Sequence, residues 1–98
     1  MPIKKPWIEY NQDNIAQVPE VDGAYELGNE KSEIIYIKGT ANLRQELVEH
    51  INSNEESLAA ARYFRYEEVF QYTLRESELL QQFIRQNKKL PPGNEDII

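Results

Sequence analysis

The sequence predicts an α+β domain: a small three-stranded antiparallel sheet flanked by helices, in the order β-β-α-β-α. Three observations predict it. Residues 23–27 and 34–38 have strand character and are joined by a short polar turn. Leu43, Leu47 and Ile51 recur at i, i+4 and i+8, which is one apolar face of a helix. An aromatic-rich run, residues 63–72, precedes a second apolar helical face made of Leu79, Leu80, Phe83 and Ile84.

The elements follow in order. Residues 1–17 read as a lead-in segment, from which Trp7, Ile8 and Tyr10 can dock on the body and Asp13 can cap a helical turn. Residues 18–92 form the single domain, entered through the extended stretch Val18 to Asp22. Gly23-Ala24-Tyr25-Glu26-Leu27 alternates at strand period, and Gly28 to Glu33 is the turn. Ile34-Ile35-Tyr36-Ile37-Lys38 is β-branched and aromatic, which suits the partner strand. Gly39 to Asn42 breaks it. Asn42 opens the first main helix, and Gln45 completes a capping-box pattern. The polar stretch Asn52 to Glu56 closes that helix, and Ser57 to Arg62 allows a short helical turn. Thr73 and Glu76 form a second capping box in front of the last helix. Leu90-Pro91-Pro92-Gly93 stops the chain, and residues 93–98 read as a loose tail.

Composition narrows the function. The chain has 98 residues and its charge is −6, from eleven basic and seventeen acidic residues. That balance disfavours non-specific attraction to a phosphate backbone. Without cysteine, disulfides, thiolate metal sites and a cysteine nucleophile are excluded. Neither a secretory leader nor a bilayer-spanning run is visible, so a cytoplasmic protein without a membrane partner is expected.

The motifs resemble those of the GIY-YIG nuclease superfamily. Gly23-Ala24-Tyr25 and Tyr36-Ile37-Lys38 stand where its paired motifs stand, separated by a short turn. Asn42-Leu43 opens the next helix as in that family's Asn/Asp-Leu-x-x-Arg pattern. His50 sits where many members carry a His or Tyr, and Glu76 where the family keeps its metal-binding Glu. The resemblance covers about residues 18–87. It implies metal-assisted phosphodiester hydrolysis: Mg2+ or Mn2+ on Glu76, Tyr25, Tyr36 and His50 handling protons, and DNA as partner.

Two departures bear on that expectation. The Arg of the helix pattern is Glu46, an anion where a cation faces the phosphate. Losing one electrostatic donor of that kind costs about 100- to 1,000-fold in rate. Arg44 lies about 200° around the helix and cannot substitute. The Gly of the second motif is Lys38, which can return some positive charge if it faces the cleft. The family's closing Asn has no clean match, with Asn87 nearby in uncertain register. Catalysis is therefore expected to be impaired, leaving a domain that binds nucleic acid or a protein partner. An active metal-dependent DNA endonuclease with a rearranged site is the alternative.

Plainer readings stand beside these. Tyr25 and Tyr36 suit cross-strand aromatic packing as well as a cleft. Glu76 suits a helix cap as well as a metal, and His50 a helix C-terminus as well as a base. Arg62, Arg65, Arg85, Lys88 and Lys89, interleaved with Tyr63, Phe64 and Tyr66, read as a nucleic-acid strip or as a solvated face. Glu55 and Glu56 read as a charged loop. The oligomeric state is not fixed by the sequence.

Overall fold

A computed structural model of the chain describes residues 3–53 and 55–97. Met1, Pro2, Asn54 and Ile98, read above as parts of the lead-in, the polar stretch after the first main helix, and the tail, lie outside the described residues. The elements are β1 (Ile8–Glu9), α1 (Gln12–Ile15), β2 (Gly23–Gly28), β3 (Ile34–Thr40), α2 (Leu43–Asn52), β4 (Tyr63–Glu68) and α3 (Tyr72–Asn87). Short 3₁₀ turns cover Glu56–Leu58 and Pro92–Ile97. No helix among the described residues is long and apolar enough to cross a membrane.

The sheet has four strands in the order β1-β4-β2-β3, and every pairing is antiparallel. This corrects the expected three. The fourth strand, β1, is two residues long and pairs Ile8 with Phe64 and Glu9 with Tyr63. Two residues carry no alternation, so periodicity could not find it.

β2 is the central strand, and all six of its residues are buried. Its alternation sends Tyr25 and Leu27 to one face and Ala24 and Glu26 to the other. The first face packs with Leu43 and Leu47 of α2, Ile15 of α1, Phe64 and Tyr36. The second packs with Ile37, Leu79 and Ile3, backed by Leu80 and Phe83 of α3. The β2–β3 register steps from Leu27–Tyr36 to Gly28–Ile34. The bulge at Ile35 keeps both Ile35 and Tyr36 in the first core.

Glycines matter where elements meet most closely. A Cβ at Gly23 would collide with the Glu67 carbonyl and the Leu43 side chain, and one at Gly39 with the Tyr72 carbonyl. Gly39 thus lets the first turn of α3 sit directly on β3. As expected, the Asn42 side chain caps α2 by accepting from the Gln45 N–H at 3.1 Å. Other caps differ from expectation. Asn11, not Asp13, caps α1 through the Asn14 N–H at 2.8 Å. α3 starts at Tyr72 with Gln71 at its N-cap position and no side-chain cap, so the Thr73–Glu76 box does not form. The aromatic run supplies a strand only as far as Glu68, because the chain turns at 69–71 into α3.

The segment read as a loose tail is anchored at Asn94. Its side chain accepts from the Ile37 N–H and donates to the Ile37 carbonyl, both at 2.9 Å, and is buried. β3 is an edge strand, and its outward backbone groups need partners. Asn94 supplies them at Ile37, and Glu76 does so at Gly39 by accepting its N–H at 2.7 Å. Asn94→Ala strips both bonds from Ile37. Denaturant unfolding is expected to report a loss of about 1–3 kcal/mol; an unchanged midpoint would mean that the segment after Pro91 contributes nothing to the sheet.

Candidate functional site

The site lies where the first face of the sheet meets α2. Tyr25 stands on β2 opposite Lys38 of β3 and Tyr66 of β4. Residues directly opposite in an antiparallel sheet share a face, so Lys38 belongs to the same face as Tyr25 and, two residues along β3, Tyr36. The rings of Tyr25 and Tyr36 pack at 6.1 Å, and His50 stands edge-on to Tyr36 at 5.4 Å. The rings therefore pack on one another, as the plainer reading expected, while the Tyr25 hydroxyl turns toward α2.

α2 contributes two residues one turn apart, Glu46 and His50. The Tyr25 hydroxyl lies 2.6 Å from His50 Nε2 and 3.5 Å from Glu46 Oε1. Glu46 Oε1 is 4.0 Å from His50 Nε2. The Glu46 side chain is 27% exposed, so the residue at the family's Arg position sits inside the cluster, not out in solvent. Arg44 is committed elsewhere: it donates to the Val18 carbonyl at 2.7 Å and pairs with Glu20 at 3.5 Å.

Sequence reasoning missed Glu55. Its Oε2 lies 2.7 Å from His50 Nδ1 and accepts from Ser53 Oγ at 3.1 Å. The signal was present only as a carboxylate five residues past the histidine, beyond the end of the helix. Tyr10 was also missed as a site residue. Its hydroxyl is buried without a hydrogen-bond partner among the described residues, and its ring packs on Phe64 at 6.2 Å.

The electrostatics are consistently acidic. Burial, then the neighbouring Tyr36 and Glu46, raise Tyr25 far above the ordinary phenol range. Burial, then Glu46, Glu55 and Glu76, push Tyr36 up to about 12, with the side-chain interaction between the two tyrosines pulling the other way. Burial and Glu55 push Tyr10 up to about 12. The hydrogen bond from His50 holds Glu55 below the usual carboxylate range. Three carboxylates, Glu46, Glu55 and Glu76, thus act on Tyr36 together.

Glu76 projects from α3 toward the β3 edge, with Oε1 occupied by the Gly39 N–H at 2.7 Å. Among the described residues no three His, Asp or Glu side chains converge as metal ligands. The donor set fits a hydrated hard cation held by one carboxylate, with waters and substrate phosphate completing its shell. It does not fit an ion enclosed by protein alone.

Two cations and one ring of the expected basic strip have structural roles, while Arg85, Lys88 and Lys89 are exposed. Arg62 donates to the carbonyls of Ala59 and Ala61. Arg65 pairs with buried Glu26 at 2.6 Å and stacks on Trp7 at 4.2 Å. Phe64 is fully buried and has no face for a base.

A family model described as Domain of unknown function (DUF7508) matches residues 1–86. No curated protein matches the chain in sequence. In structure it is similar to the GIY-YIG N-terminal endonuclease domain of UvrC from Thermotoga maritima bound to its catalytic divalent cation, magnesium. That match has a TM-score of 0.64 and 22% identity, over 72% of this chain and 86% of the other. Two tyrosine-to-phenylalanine point mutants of the same domain match at the same TM-score and coverage, each with 20% identity. At this identity the likeness establishes a GIY-YIG-like fold.

The raised tyrosines make a pH prediction. A phenol whose folded pKa exceeds the unfolded value of 10.0 favours the fold fully below about pH 10, where both states are protonated. Above it the unfolded chain releases a proton that the fold retains, so stability falls as pH rises through about 12. Ultraviolet titration of the six tyrosines is expected to show Tyr10 and Tyr36 ionising late and Tyr25 only with unfolding. Six ordinary phenols titrating together near pH 10 would contradict the site.

Proposed function

We propose that this chain, which belongs to the family described as Domain of unknown function (DUF7508), is a nuclease-like domain with suppressed hydrolysis that acts by binding. The observation that carries the reading is the Glu46 carboxylate beside the Tyr25 hydroxyl and His50. A phosphodiester entering this cleft meets an anion where the related pattern offers a guanidinium. The penalty is twofold. Glu46 repels the substrate, and it adds to the forces that keep Tyr25 and Tyr36 protonated, so neither phenol readily accepts a proton. Lys38, on the same face, is a single flexible ammonium and lacks the planar fork of arginine.

Glu76 is the residue that would hold a divalent cation, which when bound supplies charge neutralisation at the phosphate. The acidic cleft and the charge of −6 favour a basic protein surface over bare DNA as the partner. Nucleic-acid binding through another face is the other form of the same reading.

A second reading has its own observation. The 2.6 Å contact between Tyr25 and His50, backed by Glu55, is the arrangement of a tyrosine with a proton acceptor already in place. It supports an active metal-dependent DNA endonuclease with a rearranged site, in which Lys38 meets the phosphate.

Glu46→Arg separates the two. On the first reading it raises affinity for duplex DNA by about tenfold at low salt, with a steeper salt dependence, and Mg2+- or Mn2+-dependent nicking appears where the native chain has none. If neither binding nor cleavage changes, residue 46 does not face a phosphate site. If the native chain already cleaves and Glu46→Arg abolishes it, the second reading holds.

A further inference from the structure

We propose that Glu55 is the positioning residue of this site: it fixes the tautomer of His50, so that Nε2 is the acceptor for the Tyr25 proton. The argument begins at the solvent end. The Glu55 side chain is 46% exposed, and a solvated carboxyl at neutral pH is a carboxylate, so it can only accept. Its partner at 2.7 Å, His50 Nδ1, therefore carries the proton. In neutral imidazole the other nitrogen is then unprotonated. That nitrogen, Nε2, lies 2.6 Å from the Tyr25 hydroxyl, which must donate to it. The other acceptor in reach of that hydroxyl, Glu46 Oε1, is 3.5 Å away, at the limit of a hydrogen bond, so the much shorter contact to Nε2 takes the proton.

Exposure gives the relay a direction. The Tyr25 residue is 0% exposed, the His50 side chain 12% and the Glu55 side chain 46%. Beyond Glu55 lies an open groove of about 350 Å3, lined by Tyr10, His50, Ser53 and Glu55 among others. When Tyr25 gives up its proton, the O–H bond breaks as an Nε2–H bond forms. The products are a phenolate and an imidazolium, the latter facing Glu55 on one side and Glu46 on the other. The Ser53 hydroxyl, with one proton to give, lies 3.1 Å from the same Glu55 oxygen and 3.0 Å from the His50 carbonyl, so it shares that proton between them. The catalytic meaning of this relay deepens the second reading above and rests on it, whereas the tautomer does not.

The test uses the whole chain. His50 is the single histidine, so its two ring nitrogens give an unambiguous 15N spectrum. In the native protein, on the alkaline limb of the imidazole titration where the ring is neutral, Nδ1 is expected in the protonated range and Nε2 in the unprotonated range. In Glu55→Ala the ratio of Nδ1–H to Nε2–H falls about tenfold, since a hydrogen bond to a charged group is removed. Glu55→Gln, whose amide oxygen still accepts, restores most of it. Tyr25→Phe, which leaves Glu55 untouched, preserves the Nδ1–H form. A native spectrum with the proton on Nε2, or a ratio unmoved in a folded Glu55→Ala, overturns the assignment. A native Nδ1–H spectrum without DNA cleavage defeats the second reading and leaves the tautomer assignment standing.

Discussion

The molecule is organised by the burial of β2 on both faces. A strand in that position can carry polar side chains only if each finds a partner inside the fold, because an unpaired polar group in the interior costs free energy comparable to several ordinary contacts. β2 carries two. Tyr25 points one way and is met by His50. Glu26 points the other way and is met by Arg65, itself covered by Trp7. The pairing demanded by Tyr25 draws α2 onto the sheet in one rotational setting, since Leu43 and Leu47 must face the core while Glu46 and His50 reach the hydroxyl. The pairing demanded by Glu26 fixes β4 beside β2 and brings the segment before β1 over the opposite face. The candidate site is thus a consequence of satisfying one buried hydroxyl.

That same economy makes the site acidic. A hydroxyl and an imidazole suffice to satisfy each other, but the imidazole has a second nitrogen, and Glu55 takes it. Glu46 lies one turn before His50 on α2 and enters the cluster because α2 has no other rotational setting available. Burial alone raises the phenols; the carboxylates raise them further. On the reading proposed above, a GIY-YIG-like fold is retained while the electrostatics that would turn over a phosphodiester are reversed. The two are separable in principle because the fold depends on apolar faces and backbone pairing, and the proposed loss of chemistry on one side chain at position 46.

Much of this was legible in the residues. The β2–β3 hairpin and the α2 cap at Asn42 follow from local pattern, since each depends on residues a few positions apart. So does the placement of Glu46 and His50 on one helical face. What local pattern missed depends on approach between distant segments. Glu76 looked like the third position of a capping box, yet its carboxylate meets the Gly39 N–H of another element, because Gly39 admits the start of α3 to the edge of β3. Asn94 looked like part of a loose end, yet it completes the backbone of Ile37. Glu55 looked like loop charge, yet it is the residue nearest the outer nitrogen of His50. None of these three has a periodicity to betray it; each is a polar side chain whose partner is decided by packing.

The central claim is that hydrolysis is suppressed by the anion beside Tyr25, and a cleavage assay of the unaltered chain addresses it most directly. Supercoiled and linear DNA would be incubated with the protein in Mg2+ and in Mn2+, with Glu76→Ala as the control. The account predicts no nicking above that of the control in either metal. Nicking by the native chain that vanishes in Glu76→Ala would contradict it.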